Sequence, residues 1–188
     1  MNFHFDIDKS ISATAYLLRK NGGREEVLFL VKMLYDANRE SLLRYGRSLT
    51  GDAFSSMEHG PIVSETYDLL KGNLRVDAKF REKWGQFISP RNGNSVHLVN
   101  NSEPELLHLA KREIALLDES FDKIKSVRGR ISDWSHRVFP EWEQVPPRTS
   151  KTLPAERIFE KQNTPAEEID FLKGEIDNLT WLQNFLVK

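Results

Sequence analysis

The sequence predicts a mainly α-helical fold with a small β component, comprising a compact helical domain with a β-hairpin and a C-terminal helical extension. Three observations carry that prediction. Apolar residues recur at helical spacing in four separate stretches, around residues 11–18, 27–45, 107–124 and 169–186. Between the second and third stretches, Gln86, Phe87 and Ile88 lead into Pro90, Arg91, Asn92, Gly93 and Asn94, and Val96, His97, Leu98 and Val99 leave them, which is a strand, a glycine-containing turn and a strand. Beyond Val145, Pro146 and Pro147 the chain resumes a helical period, which divides a domain over residues 1–145 from an extension over residues 146–188.

The elements follow in order. Asp8 is placed to cap a first helix lined by Ile11, Ala15 and Leu18, which Asn21, Gly22 and Gly23 end. A second helix opens near Arg24 and runs to Tyr45. Val27, Leu30, Val31, Leu34 and Leu42 keep helical spacing, while Leu28, Phe29, Met33 and Ala37 make its first half apolar on nearly every side, so it belongs in the middle of the core. Gly51 and Asp52 are turn residues, and the run from Phe54 to Met57 reads as a small strand. Gly60 then stands at a cap position and Pro61 at a first helical position, where its missing N–H costs nothing, so a helix is expected over residues 61–71. Ile62, Val63, Tyr67 and Leu70 give it an apolar stripe, and Gly72 stops it in a left-handed conformation.

Residues 72–85 mix charge with scattered apolar side chains and read as irregular or briefly helical. The hairpin that follows must pack on helices, since two strands alone are marginal. Ser102 and Glu105 form a capping box for a long helix ending near Val127, with Leu107, Ala110, Ile114, Leu117, Phe121 and Ile124 on one stripe. A short helix beyond Gly129 carries Ile131, Trp134 and His136. Thr164, Pro165 and Glu167 open a last helix in which Ile169, Leu172, Ile176, Leu179 and Leu186 are widened by Trp181, Leu182 and Phe185. Gly174 inside it costs about 1 kcal/mol relative to alanine. That surface has two readings, docking on the chain's own core or gripping a partner.

Composition bounds the function. The chain has 188 residues, 39% of them hydrophobic, enough for one domain with a real core. Its 27 basic and 28 acidic residues leave a net charge of -1, which offers no general attraction for nucleic acid or an anionic membrane. The absence of cysteine excludes disulfides and thiolate metal sites. No apolar run approaches the roughly 20 residues that span a bilayer, and MNFHFDIDKS lacks the regions of a signal peptide, so a cytoplasmic protein is expected.

The chemistry-bearing residues are sparse. None of the five histidines, His4, His59, His97, His108 and His136, pairs with another at helical metal-ligand spacing, and no metal or cofactor is predicted. Ser64 lies in PIVSETY and not in a nucleophile elbow, so it reads as a polar residue of a helix's first turn. The amides at the start of the helix over residues 61–71, with His59 beside them, form a candidate anion site. Lys123, Lys125, Arg128, Arg130 and Arg137 make a local basic run, which a helix C-terminus favours without any nucleic acid. No helix-turn-helix module stands beside the domain.

Residues 30–72, LVKMLYDANRESLLRYGRSLTGDAFSSMEHGPIVSETYDLLKG, carry a K-x-L-Y helix, a glycine, a short polar strand that follows the turn at Gly51 and Asp52, and then Gly60 and Pro61 before a helix with Tyr67. ISATAYLLRKNGGR precedes it and ISDWSHRVFPEW follows, with Ile62 in place of a common valine and Glu141 where a proline is usual. Over most of residues 10–142 this pattern resembles the Panacea domain of phage-associated proteins and antitoxins. The resemblance implies a compact, mainly helical domain that neutralises a cognate protein toxin by direct binding, and, in SocA-type antitoxins, also serves a protease complex as adaptor. Candidate contact residues are Glu58, His59, Ser64, His136, Trp181 and Phe185. The competing reading is a small hydrolase or nucleotide-binding enzyme using Glu58, His59 and His136, which requires the three to converge in a pocket.

Overall fold

A computed structural model describes residues 1–99 and 108–186. The first helix, α1 (Ile7–Lys20), opens at Asp6, whose carboxylate accepts the Lys9 amide at 3.0 Å, two residues before the Asp8 cap expected from sequence. Asp8 sits in the first turn instead and pairs with Lys83. After Asn21, Gly22 and Gly23, the residues Arg24–Glu26 form a strand, β1, and the second helix, α2 (Val27–Tyr45), begins only behind it. The sequence reading placed Arg24 in the helix because the partner that extends β1 is distant: Glu25 pairs with Val96, more than seventy positions away.

Strands β2 (Phe54–Met57) and β3 (Gly60–Val63) form an antiparallel hairpin, and α3 (Ser64–Lys71) follows directly. The helix expected over residues 61–71 therefore starts three residues late, and Gly60 and Pro61 belong to a strand. Ile62 and Val63 are β-branched and favour that conformation, and β3 lies on the sheet edge, where the missing N–H of Pro61 is tolerated. Gly72 ends α3 with φ 69°, as its position predicted.

Residues Ala78–Gly85 form α4 and bury Trp84. The hairpin expected at residues 86–99 is present in reduced form. Its second strand, β4 (Ser95–His97), ladders with β1, while the first contributes an isolated bridge from Ile88 to Leu98. The amides of Phe87 and Ile88 are both bound to the Trp84 carbonyl at the end of α4, so they cannot extend a ladder. The long helix is α5 (Lys111–Ser126); the capping box at Ser102 and Glu105, and Leu107, lie outside the described residues. Its first turn is closed by Glu113, whose Oε2 accepts the Ala110 amide at 2.7 Å. Then come α6 (Ile131–Val138), β5 (Ser150–Thr152), α7 (Glu156–Glu160) and α8 (Ala166–Leu186). Strand β5 pairs with β2, giving the order β3-β2-β5. The described residues are thus mainly helical with two small antiparallel sheets, and no helix among them is long and apolar enough to cross a membrane.

Helix α2 is the hub, packing on α1, α3, α5, α7, β1 and β3. Its apolar side chains, from Leu30 to Leu42, are nearly all buried, as its spacing predicted, but so are Lys32, Tyr35, Asp36, Asn38 and Arg39. Glu141, fully buried, accepts from Tyr35 OH and from Arg39 Nε, both at 2.7 Å. Around it, Tyr35 meets Phe54 and Phe139 edge-on, with ring centroids 5.4 and 5.0 Å apart. Asp36 receives Lys123 of α5 on both carboxylate oxygens at 2.9 Å. Burial pushes the Asp36 carboxyl up, and Lys123 opposes that shift.

Removing Glu141 leaves the Tyr35 hydroxyl without its acceptor and the largely buried Arg39 guanidinium with Glu40 alone. Glu141→Ala is expected to destabilise the fold by about 3–5 kcal/mol, read as a lowered urea midpoint. A loss comparable to that of an exposed surface substitution would show that the pair is not a structural anchor.

Candidate functional site

The β2–β3 hairpin turns through Glu58 and His59, the two residues between the paired Met57 and Gly60. Both keep negative φ, so the positive-φ position falls on Gly60, at 97°. Space makes the same demand, since a Cβ at Gly60 would lie 2.7 Å from Ser135 Cβ and 2.8 Å from Lys32 Nζ. Gly60 is therefore not a helix cap but the point where the hairpin presses onto α2 and α6. Gly51 is similarly constrained, because a Cβ there would come within 1.9 Å of the His4 carbonyl oxygen.

The segment after Gly129 clamps the hairpin tip. His136 Nε2 lies 3.1 Å from the Glu58 carbonyl oxygen, in hydrogen-bond reach. Trp142 Nε1 donates to the Met57 carbonyl at 2.9 Å, and the Glu143 amide donates to Ser56 Oγ at 3.2 Å. The His136 ring stacks on Trp142 with centroids 3.8 Å apart and planes 9° from parallel. Partial burial lowers the His136 pKa, opposed by its bond to the Glu58 carbonyl.

Glu58, His59 and His136 are therefore neighbours, but the link runs through the Glu58 backbone. Glu58 and His59 border a cavity of about 430 Å³ that also reaches Lys32 and Tyr67; His136 is outside its lining. Ser64 starts α3, and its Oγ lies 2.8 Å from Ser55 Oγ, which ties the helix start to β2. Trp181 and Phe185 stand far along α8, with ring centroids 5.6 Å apart and 15° between planes. Among the described residues no three metal-ligating side chains gather.

The anion site expected at the start of the third helix is occupied by the chain itself. Asp52, fully buried, accepts the Glu65 amide at 2.8 Å, the Thr66 amide at 2.9 Å and Thr66 Oγ1 at 2.5 Å. Burial and the neighbouring Glu65 push the Asp52 carboxyl well up. Asp52 is thus more than a turn residue, capping a helix twelve positions on. The basic run is also partly internal: Lys123 serves Asp36, and Arg128 grips the buried Glu25 at 2.5 Å.

Lys32 was missed as a functional candidate. It is fully buried, lines the cavity, and donates to the Pro61 carbonyl at 2.7 Å. The available signal was a single lysine inside VLFLVKMLY, where helical spacing leaves no polar face to hold it.

Two outcomes follow. Gly60→Ala should cost about 2 kcal/mol or more, from the strained backbone and the two close contacts, seen as a lower denaturation midpoint with an unchanged m-value; a variant as stable as the parent would refute the packing argument. His136 has a lowered pKa in the folded state, so below its ordinary value of about 6.5 the unfolded chain takes up the proton first. Stability is therefore expected to fall as pH drops below that value and through the lower folded one. Melting measured across that window should show a decline that His136→Phe, which keeps a ring against Trp142, makes shallower; equal slopes would remove His136 from the effect.

No curated protein and no solved structure gives a significant match to this chain. Residues 30–143 match the family model described as antitoxin SocA-like, Panacea domain. The match begins within α2, takes in the β2–β3 hairpin and its clamp, and ends just beyond Glu141 and Trp142. Since it spans more than half of the sequence, the chain belongs to the SocA-like Panacea family.

Proposed function

We propose that this protein is an antitoxin that binds a cognate protein toxin directly and blocks it, with the distal part of α8 as a principal contact. Membership in the SocA-like family supports the class of partner. The observation that supports the place is the division of α8 into two parts. Ile169 and Ile176 are buried against the core, and the Asp177 carboxylate accepts the Asn2 amide at 2.7 Å while Thr180 Oγ1 donates to the Asn2 carbonyl at 2.6 Å. Beyond them the stacked rings of Trp181 and Phe185 stay 63% and 66% exposed, with Leu182 beside them.

Stacked aromatic side chains offer large contact area at low conformational cost, and such residues dominate binding energy in protein interfaces. The hairpin tip, with Glu58 and His59 exposed and His136 behind them, is a second, polar contact candidate, and its clamp keeps it preorganised. Ser64 lies at the base of that hairpin, against Ser55.

The test is coexpression with the product of the adjacent reading frame. Growth rescue and copurification are expected, and Trp181→Ala with Phe185→Ala should abolish both while leaving the melting temperature of the isolated protein unchanged. Failure of the parent protein to rescue growth or copurify would refute the antitoxin reading. Full rescue by the double variant would move the contact away from α8.

A further inference from the structure

The cavity beside the hairpin has an unusual polar group in its lining. Lys32 is completely buried among apolar neighbours of α2, and none of the ion pairs among the described residues includes it. Its Nζ spends one N–H on the Pro61 carbonyl. No acid side chain offsets the burial, which holds the amine well below the ordinary lysine range. A buried amine without a counterion costs stability compared with an apolar side chain of the same length, unless something else uses it.

The surroundings define what could. The cavity, about 430 Å³, falls within the range of about 300–1,000 Å³ found for small-molecule sites. Val31, Met57 and Ile62 supply apolar walls. Arg148 stands at its border, exposed, in a positive-φ conformation of 62° and with no acid partner among the described residues. With the buried Lys32 amine in its apolar lining, and with Arg91 and Arg148 at its border offset by the carboxylates of Glu26 and Glu58, the chamber suits a ligand with a hydrocarbon body and a single acid group held by the amine and not by the rim.

We propose that this cavity binds a small organic carboxylate whose acid group becomes the counterion of Lys32 and whose apolar body lies against Val31, Met57 and Ile62. Binding forms no covalent bond; the carboxylate supplies the missing charge and the amine takes up a proton from solvent. The site is separate from the α8 surface and does not depend on the identity of a protein partner.

Octanoate, its neutral isostere 1-octanol and inorganic phosphate are the probes, followed by ligand-observed NMR and thermal shift on the full chain. Octanoate is expected to bind at least about tenfold more tightly than 1-octanol, and phosphate not to compete with it. Lys32→Met keeps the length of the side chain and removes its amine; it should remain folded and lose the preference for octanoate. Equal binding of octanoate and octanol by the parent, an octanoate preference that survives Lys32→Met, displacement of octanoate by phosphate, or no octanoate binding up to about 10 mM would each overturn the proposal. The comparison of probes on the parent protein stands even if the variant fails to fold.

Discussion

The fold depends on one constraint, that the polar groups of α2 are satisfied from elsewhere in the chain. A helix buried on nearly all sides gains its stability from apolar contact, which is non-directional and would accept many arrangements of neighbours. The buried polar groups remove that freedom. Asp36 requires Lys123, which sets α5 in register, and Ser120 of the same helix donates to the Met33 carbonyl at 2.7 Å. Arg39 and Tyr35 require Glu141, which draws in the chain after α6. Asn38 Oδ1 accepts Ser48 Oγ, the Thr50 amide and Thr50 Oγ1, which shapes the loop before β2. Each bond is modest in net worth, but leaving a buried partner unmet costs more than the bond supplies, so the alternatives are penalised.

The hairpin inherits its position from that arrangement. Pro61 accepts Lys32, Gly60 fits against Ser135, and Trp142, adjacent to Glu141, holds the Met57 carbonyl. The tip at Glu58 and His59 thus projects from a base tied to two different helices. Asp52 completes the base from the other side by capping α3 through two amides and a hydroxyl, a set of bonds that substitutes for the local cap that Val63 cannot provide.

What the residues disclosed beforehand follows the same physics. The helices of strong period, α2, α5 and α8, were legible because burial of one face imposes spacing within a single segment. The strand β1 was not, because three residues become a strand only when Val96 arrives from far along the chain. Pro61 was assigned to a helix because glycine followed by proline satisfies the rules for a helix start equally well; the β-branched Ile62 and Val63 carried the opposing signal. Asp52, Glu141 and Lys32 share a different obstacle: each is polar, and its role depends on partners 13, 102 or 29 positions away. The family pattern located the domain and the first strand of the hairpin but not the second, and the chemistry of Glu141 lies where this sequence departs from that pattern.

The sheet also bears on how a protein partner is met. An exposed strand edge invites pairing with another chain, and β3-β2-β5 has two edges. One is β3, which carries Pro61 and is buried under α2 and α6. The other is β5, only three residues long, with the charged Lys151 at its centre, tied to Glu143. Both features oppose strand addition. A helix face does not face that obstacle, since its backbone groups are already bonded and its side chains alone meet the partner. On α8 Ile169 and Ile176 fix the helix on the core and the distal rings extend past them, so a partner can cover Trp181 and Phe185 without separating any pair on which the core relies.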